Sequence, residues 1–418
     1  MKLPRVFTMV FVAIVFISKS AFGSNAVLDW NEQALNATRL SRQPPPVIAL
    51  HLGTFHGAIA DAVNGIAGQW QPWLVKEKAP AGADLDAAIA SAAYTVLNAI
   101  WGQAANPRNF ETAYQHALAA IPEGSSKNDG LAWGKKVAQA VLAERSKSGF
   151  GTPVKYAPSN EPGKWRETAP DFRAAAAPQL ANTKPFVMNS PDQFRGPPPP
   201  PVDSKDYADE LALVAKVGAR DGAERTEDQT LTVPFWSDGL GTSGPAGHWN
   251  MIAQTIAMDR KLSEVETARL FALLNFAAAD AFISAWDTKF FYNTARPETA
   301  IREIDTKVNP HVQQDPNFIP NMPSLPFPSY PSAHMTFTGA ATRVIALYFG
   351  TDDVAFSTTS DGLPGAVRSF RKLSTAAEEV GMSRIYGGIH IRFDVREGKN
   401  AGEKIGDWVF EHALQPVK

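Results

Sequence analysis

Residues 327–350 constrain the fold of this 418-residue chain more than any other segment. The first half of the segment is broken by prolines and cannot be helical, whereas small and apolar residues from Ala333 onward predict a helix that stops at Gly350. His334 therefore falls in the first turn, directly after Ser332. Because a first turn offers unpaired backbone N–H groups and a partial positive charge, a Ser cap followed by a His predicts a site for a tetrahedral oxyanion.

The composition is that of a globular protein with a large core. Hydrophobic residues make up 44% of the chain and charged residues 20%, and this length allows two or three structural units. The formal net charge of −2 argues against nucleic acid as a partner, so a positive patch would be local and suited to a small anion. The chain has no cysteine, which excludes disulfides, thiolate metal sites and cysteine nucleophiles.

Residues 1–23 have the pattern of a signal peptide. Lys2 and Arg5 precede an apolar run at residues 6–17, and small residues before Ser24 suit signal peptidase. The run is too short for an ordinary transmembrane helix, and we find no later run of about 18 apolar residues. We therefore expect a periplasmic or secreted protein with no membrane attachment after cleavage and a net charge of about −5, with an uncleaved anchor as the alternative.

Helical patterns account for most of the remaining sequence. Apolar residues recur at helical spacing and strand-like alternation is scarce, which predicts an all-α fold. Residues 149–202 are instead a long Gly- and Pro-rich excursion, of a length that usually wraps a site or a partner surface. The predicted helices are 26–40, 46–66, 84–104, 109–121, 128–146, 204–218, 247–258, 263–288, 338–349 within the helix that begins at Ala333, 365–386 and 395–414.

Three histidines outside the main segment have structural interpretations. His51 and His56 lie on an apolar face of the second predicted helix and are interpreted as core or surface histidines. His248 and Trp249 stand at the start of a helix, where they either line a cleft or pack in the core.

A pair of cations follows the predicted helix at residues 263–288. Lys289 and Arg296 are seven residues apart, so both would lie on one face if the helix continued to Ala295, but Pro297 disfavours helical geometry at Arg296. Two like charges on one face repel unless an anion or acids lie between them. The pair is therefore either an anion-binding element or two solvated cations at a helix end.

A further cluster precedes the last predicted helix. Asp394 and Glu397 have the spacing of a capping box, which leaves His390 in the link before that helix and close enough to pair with Asp394. A carboxylate bonded to one ring nitrogen would fix the tautomer and make the other nitrogen the better nucleophile or metal ligand. Arg384 supplies a fork-shaped donor of the kind that grips oxyanions.

These clusters resemble, in order and spacing, the tripartite signature of the vanadium-dependent haloperoxidase and type 2 phosphatidic acid phosphatase superfamily. The first cluster is Lys289 with Arg296 and Pro297, the second is residues 331–334, and the third runs from Ser383 and Arg384 through Gly388 and His390 to Asp394. Residues 193–201 and 247–250 also resemble the bacterial haloperoxidase branch. Ala333 stands where many members have Gly, but its backbone N–H is retained, so we expect the anion site to survive.

The resemblance implies two packed, chloroperoxidase-like helix bundles, with an N-terminal helical region at residues 24–202 and a catalytic region at residues 203–418. Lys289 would polarise bound peroxide, His334 would assist proton transfer, and Asp394 would partner His390, the axial metal ligand. The expected partners are hydrogen peroxide and a halide, with an organic substrate as a further candidate. The residues implied to hold vanadate, or phosphate in its place, are Lys289, Arg296, Ser332, the Ala333 amide, Arg384 and His390.

Two alternative functions stay open. A periplasmic acid phosphatase would use His390 to form a phosphohistidine and His334 to protonate the leaving alcohol. A non-catalytic oxyanion-binding helical protein would need only the cations and the helix N-terminus. Chain length, the Pro-rich excursion and the lack of predicted membrane spans favour the haloperoxidase.

Overall fold

The computed structural model describes residues 25–104 and 107–417, so the predicted signal peptide lies outside the described residues. Within them the fold is helical, with one two-stranded antiparallel sheet and one short 3-10 helix at Pro178–Asn182, which confirms the all-α prediction. The elements are α1 (Ala26–Ser41), α2 (Pro45–Ala67), α3 (Leu85–Trp101), α4 (Pro107–Ala119), α5 (Ser125–Arg145), α6 (Lys205–Gly218), α7 (Glu227–Phe235), α8 (Gly244–Asp259), α9 (Glu264–Tyr292), α10 (Pro297–Glu303), α11 (Ala333–Phe349), β1 (Phe356–Thr359), β2 (Val367–Phe370), α12 (Leu373–Tyr386) and α13 (Arg392–His412).

Helix α9 lies at the centre of the core and contacts α2, α11 and α13. Its side chains are buried on nearly every face, as expected of a helix that is apolar all round. Helices α2 and α9 are long and apolar enough to cross a membrane, but 89% and 94% of their most apolar windows are buried inside the protein. One hydrophobic core joins helices from both sides of residue 202, and the division of the chain at that residue stays a prediction.

Glycines on α13 allow a close approach to α11, which brings the second cluster beside the third. A Cβ atom on Gly398 would lie 2.7 Å from the carbonyl oxygen of Ser332, and one on Gly402 would lie 2.0 Å from that of Thr336. Only glycine fits at such a distance between backbones. The start of α11 is therefore held in a fixed position relative to the link that carries His390.

The excursion at residues 149–202 packs against the segments around the first and second clusters. Its backbone reaches the turn between α9 and α10 and the Pro-broken segment before α11. The hydrogen bonds that make these contacts include Trp165 N to Asn293 O at 3.0 Å, Ala295 N to Gly163 O at 2.8 Å, Ala176 N to Pro326 O at 2.8 Å and the Tyr330 hydroxyl to Pro197 O at 2.7 Å.

The predicted helix at residues 365–386 is wrong in its first part. Residues Val367–Phe370 form β2, which pairs with β1 in an antiparallel hairpin, and the helix begins only at Leu373. Strands this short carry too few alternations to be recognised by period alone. The helices α7 and α10 are both short, and neither was among the predicted helices.

The predicted capping box of the last helix is also wrong. Helix α13 begins at Arg392 with Ile391 as its N-cap, so Asp394 lies inside the first turn. Its carboxylate accepts from the Ser329 hydroxyl and from His390 Nδ1, and the backbone of the N-cap residue Ile391 also donates to it. Helix α9 ends at Tyr292, where Asn293 adopts a left-handed conformation, and Arg296 is the N-cap of α10. Lys289, in α9, and Arg296, at the start of α10, therefore belong to two different helices and do not share one helical face.

Candidate active site

The start of α11 presents Ser332 and His334 in buried positions. The backbone N–H of Ser332 donates to the carbonyl oxygen of Asp394 at 3.0 Å, which ties the second cluster to the third. Contrary to the expectation of a Ser cap, the Ser332 side chain makes no capping hydrogen bond. Its hydroxyl therefore remains available to another group. The Ala333 and His334 amides lie in the first turn, where helix geometry leaves N–H groups without intrahelical partners.

Lys289 is fully buried beneath the Pro-broken segment. Its ammonium donates to the carbonyl oxygens of Pro328 at 2.9 Å, Ser329 at 2.6 Å and Pro331. An ammonium has three N–H donors, so all of them are used by backbone carbonyls in this arrangement. Lys289 thus fixes the loop before α11, and it would have to release one carbonyl to contact a bound anion.

Arg296 and Arg384 bring two guanidinium groups into the same buried region. Arg296 Nε donates to the carbonyl oxygen of Phe327 at 2.8 Å and Nη1 donates to that of Ile389 at 3.1 Å. The Phe327 ring packs under this guanidinium, with 4.8 Å from Cζ to the ring centroid. Arg384 Nε donates to the Ser383 hydroxyl at 3.2 Å. Each arginine keeps one buried Nη without a hydrogen-bond partner.

The partners of His390 define its tautomer. Arg296 Nη1 lies 3.3 Å from Nε2 of His390, and because a guanidinium can only donate, Nε2 must accept. The proton is then on Nδ1, which donates to Asp394 Oδ2 at 2.8 Å. The Ser329 hydroxyl donates to the same carboxylate oxygen at 2.6 Å. This arrangement places a lone pair on Nε2, as a metal ligand or a nucleophile requires.

Burial and mutual repulsion shift the pKa values of the cations. Desolvation, followed by the charge of Arg296, holds the pKa of Lys289 well below its usual range. Desolvation lowers the pKa of Arg296 to about 9 and that of Arg384 to about 10, so both remain charged at neutral pH. Burying like charges together is costly unless an anion accompanies them. The buried positive charge of Lys289, Arg296 and Arg384 therefore favours the binding of an oxyanion.

The two histidines are neutral at pH 7. Desolvation and the charges of Arg296, Lys289 and Arg384 hold the pKa of His390 well below its usual range. His334 is lowered in the same way, by desolvation first and then by the charge of Arg384, so its pKa also lies well below the usual range. The pKa of Asp394 is raised to about 6 by desolvation, which still leaves a carboxylate at pH 7. His334 Nε2 is buried without a hydrogen-bond partner and can act as a base.

Unpartnered buried atoms concentrate at this site. Among the described residues, eight buried side-chain nitrogen or oxygen atoms lack a hydrogen-bond partner, and four of them belong to the second cluster and the two arginines. Such atoms are rare in folded proteins because each costs about 1–3 kcal/mol. The four are Arg296 Nη2, Ser332 Oγ, His334 Nε2 and Arg384 Nη1. The two guanidinium nitrogens and the Ser332 hydroxyl can donate to a tetrahedral oxyanion such as vanadate or phosphate, while the Nε2 atoms of His334 and His390 offer a base and a ligand beside it.

Two polar residues of this region were missed by sequence reasoning. Ser329 bonds to both His390 and Asp394, but it lies 65 residues from Asp394 in a Pro-broken segment with no period to follow. Asp238 is buried in the turn after α7, and its negative charge favours the charged form of Arg384 and so raises the pKa of that arginine. Asp238 could have been anticipated from the sequence, because a third buried cation, Arg384, needs an acid nearby to balance its charge.

The fold and the site together define a mainly helical protein with a buried, positively charged oxyanion site centred on a histidine that is paired with a carboxylate. Comparison with known proteins agrees with this class. The profile of the VCPO second helical-bundle domain matches residues 269–418. Vanadium chloroperoxidase from Curvularia inaequalis is 26% identical over 495 residues, which covers 91% of this chain and 80% of that protein.

Solved structures of bacterial proteins have the same fold. The crystal structure described as the first bacterial vanadium-dependent iodoperoxidase superposes with a TM-score of 0.80 at 25% identity, covering 94% of this chain and 98% of that one. The holo-type bacterial vanadium-dependent chloroperoxidase gives a TM-score of 0.70 at 17% identity, covering 91% and 95% of the two chains. The chain is thus similar in sequence and in fold to vanadium haloperoxidases over most of its length.

Proposed function

We propose that this protein is a vanadate-dependent haloperoxidase that uses hydrogen peroxide to oxidise a halide to hypohalous acid. The observation that carries this proposal is the set of four buried, unpartnered polar atoms beside the lone pair of His390. Folding leaves these atoms unsatisfied at a cost of about 1–3 kcal/mol each, which an oxyanion ligand would offset. The similarity to vanadium haloperoxidases favours vanadate as that ligand.

Vanadate held here would supply a centre that activates peroxide for oxygen transfer to the halide without changing its own oxidation state. Arg296, Arg384 and the Ser332 hydroxyl would donate to its oxygens, and the Ala333 amide would add a backbone donor. His390 Nε2 would be the one protein ligand to the metal, with Asp394 holding its tautomer.

His334 and Lys289 would handle protons and charge in the reaction. His334 is neutral with a free Nε2, so it can accept a proton as peroxide enters and return it as the product forms. Lys289 is held by three carbonyls, and its ammonium can stabilise developing negative charge only if it exchanges one of them for the ligand. We propose that this exchange accompanies anion binding.

Phosphomonoester hydrolysis is the second candidate, and the oriented lone pair of His390 Nε2 favours it. The same nitrogen that could bind a metal could attack phosphorus, and His334 would protonate the leaving alcohol. Halide oxidation and phosphomonoester hydrolysis would use the same anion-binding donors. Activity assays, rather than the geometry of the site, therefore distinguish the two functions.

The decisive experiment strips anions from the purified mature protein and adds orthovanadate. We expect peroxide-dependent bromination or iodination to appear on addition of vanadate and to be inhibited by phosphate. Halogenation that is independent of vanadate would overturn the proposal. Hydrolysis of a phosphomonoester, measured in parallel without vanadate, would identify a phosphatase instead.

His390→Ala tests the ligand assignment within the same assay. The variant should lose vanadate-dependent halogenation while its far-UV circular dichroism stays that of the wild type, because His390 lies in a link between helices. His51→Ala is a matched control, since His51 is a histidine of α2 bonded to Gln43 and makes no contact with the three clusters. Vanadate-dependent activity in His390→Ala would refute His390 as the metal ligand.

We also propose that the protein is exported, either to the periplasm or out of the cell. The basic residues Lys2 and Arg5, the apolar run at residues 6–17 and the small residues before Ser24 support this proposal. N-terminal sequencing of the protein recovered from its native cells should begin at Ser24. A chain that retains Met1 in the cytoplasmic fraction would contradict it.

A further inference from the structure

The segment at residues 193–201, to which the proposed reaction gives no role, is fixed to two helices. Arg195 makes a bidentate pair with Asp287 of α9, with Nε donating to Oδ2 at 2.7 Å and Nη2 donating to Oδ1 at 2.8 Å. The Phe194 ring lies edge-on to the ring of Trp408 in α13, with 6.1 Å between the ring centroids. The 193–201 segment is therefore held against α9 and α13 by contacts that do not involve the loop before α11.

Tyr330, in the loop before α11, joins this segment to the anion site. The residue is fully buried, and its hydroxyl donates to the carbonyl oxygen of Pro197 at 2.7 Å. Its ring contacts the rings of Tyr292 in α9 and Phe393 in α13, with centroid distances of 5.5 Å and 5.3 Å. The side chain of Tyr330 therefore contacts both helices and the 193–201 segment at once.

Gly196 leaves the space that the Tyr330 hydroxyl occupies. A Cβ atom on Gly196 would lie 2.3 Å from that hydroxyl oxygen, 3.4 Å from Cζ of the same ring and 3.9 Å from Glu397 Cβ. Only the first of these distances is a severe overlap, since the other two are close to ordinary van der Waals contacts. The hydroxyl of Tyr330 is therefore the atom that demands glycine at position 196.

The residues on both sides of Tyr330 carry contacts of the anion site. The Ser329 hydroxyl donates to Asp394 Oδ2 at 2.6 Å, and Ser332 N donates to the Asp394 carbonyl oxygen at 3.0 Å. The ammonium of Lys289 donates to carbonyl oxygens of the same loop, including that of Ser329 at 2.6 Å. The position of Tyr330 therefore helps to set the position of Ser332, whose hydroxyl is one of the unpartnered donors.

We propose that Tyr330 is a positioning residue of the anion site: its hydrogen bond to Pro197 fixes the loop before α11, so that the donors at the start of that helix are already in place for an oxyanion. This inference rests on the proposed function, which supplies the anion. The 193–201 segment is a rigid acceptor for the bond because Arg195 and Phe194 hold it from other directions. Without the hydroxyl, the loop gains freedom that anion binding has to remove, so affinity falls.

Tyr330→Phe and Tyr292→Phe separate this role from the general loss of a hydrogen bond. Each variant keeps its ring and loses a hydroxyl that donates to the 193–201 segment, since the Tyr292 hydroxyl donates to the carbonyl oxygen of Gly196 at 3.0 Å. The two variants should therefore have similar melting temperatures. Tyr330→Phe should bind vanadate and phosphate at least about tenfold more weakly than the wild type, the size of effect seen for residues that orient a ligand-binding group. Tyr292→Phe should stay within about threefold of the wild type, because Arg195 still ties the segment to α9.

Gly196→Ala tests the same contact from the other side. In the wild-type background the new methyl group displaces the Tyr330 hydroxyl, so anion affinity should again fall by about tenfold. In the Tyr330→Phe background the hydroxyl is absent and the methyl group meets no severe overlap, so the same substitution should change affinity by less than about twofold. The double-mutant cycle thus reports on this one contact.

Hydrogen exchange of the anion-free protein gives a measurement that needs no ligand. The amides of the loop that are hydrogen-bonded in the folded protein are those of Ser329, Tyr330 and Ser332. In Tyr330→Phe these amides should exchange at least about tenfold faster than in the wild type, because the loop opens more often. In Tyr292→Phe their exchange should be unchanged, and amides in the buried middle of α9 should be unchanged in both variants.

Affinity is measured by calorimetric titration of the anion-free protein with orthovanadate and, separately, with inorganic phosphate. Weaker binding and faster loop exchange in Tyr330→Phe but not in Tyr292→Phe, with Gly196→Ala silent once the hydroxyl is gone, support the proposal. Equal affinities of the two tyrosine variants, unchanged loop exchange in Tyr330→Phe, or an effect of Gly196→Ala that persists without the hydroxyl overturns it while leaving the anion site intact. A wild-type protein that binds neither anion overturns the proposed function and this inference together.

Discussion

The Nδ1 atom of His390 and the Oδ2 atom of Asp394 are 2.8 Å apart across the start of α13. His390 lies in the link before the helix and Asp394 in its first turn, so the helical backbone itself sets the distance between the two side chains. The Asp394 carbonyl oxygen also accepts from Ser332 N, which joins this pair to the start of α11. One residue therefore orients the proposed metal ligand with its side chain and the proposed anion-binding turn with its backbone.

Asp394→Asn should weaken vanadate binding at least about tenfold. Ser329 Oγ and His390 Nδ1 both donate to Oδ2, so the amide oxygen of Asn would take that position and keep both hydrogen bonds. The amide is neutral, however, so the hydrogen bond from Nδ1 becomes weaker and Nε2 becomes a less basic ligand for the metal. Titration of vanadate into both proteins measures the effect. Ser329→Ala is the control, since it keeps the carboxylate and should cost less affinity; equal midpoints for Asp394→Asn and wild type would leave the carboxylate without a role in binding.

Orthovanadate and phosphate should both raise the melting temperature of the anion-free protein by a few degrees. A ligand present at about 100 times its Kd stabilises the folded state by about 2.7 kcal/mol. The reason here is that either anion satisfies buried donors that the protein alone leaves unpaired. Differential scanning calorimetry with chloride at matched ionic strength gives the comparison. Chloride producing the same rise would mean that the stabilisation is general ionic screening.

Much of the fold was accessible from the sequence because most of the helices are long and well patterned. The helix that begins at Ala333 and ends before Gly350 was predicted from a proline break, a run of small residues and a terminal glycine, and the structure has these bounds. The hairpin at residues 356–370 was not predicted, because its strands have only four residues each and one of them was merged into the following helix.

The candidate site was predictable only where its residues lie in recognisable clusters. Lys289, Arg296, His334, Arg384 and His390 come from segments whose order and spacing are distinctive, and the structure places all five in one buried region. Their roles stay predictions. The contacts of Ser329 and Asp238 depend on tertiary approach between segments far apart in sequence, which no local pattern encodes.

Acidification should destabilise the protein through its buried histidines, of which His56 gives the cleanest test. Burial lowers the pKa of His56 to about 3, whereas the unfolded chain binds a proton near the usual value of about 6.5. Between these values the unfolded state holds more protons, so stability is present above about pH 6.5 and is lost as the pH falls. At pH 5 the loss attributable to His56 is about 2 kcal/mol.

The measurement for His56 is urea unfolding of the wild type and His56→Gln at pH 7 and pH 5. The difference between the two pH values should be smaller in the variant, which has no imidazole to protonate. Identical pH dependence in the two proteins would show that His56 does not contribute.

Gly398→Ala tests whether the close contact between α11 and α13 sets the geometry of the site. The new Cβ would lie 2.7 Å from the carbonyl oxygen of Ser332, so the start of α11 must move away from the link carrying His390. Gly406→Ala is the matched control, because its Cβ would meet the same helix at 2.8 Å from Arg343 Cβ and 2.9 Å from Ala340 O, two turns further from Ser332.

Overpacking costs about 1–3 kcal/mol at either position, less the roughly 1 kcal/mol that Ala gains over Gly in a helix. We therefore expect similar melting temperatures for the two variants but a vanadate affinity at least about tenfold weaker for Gly398→Ala alone. Equal affinities would mean that the anion site adjusts freely to the spacing of the two helices.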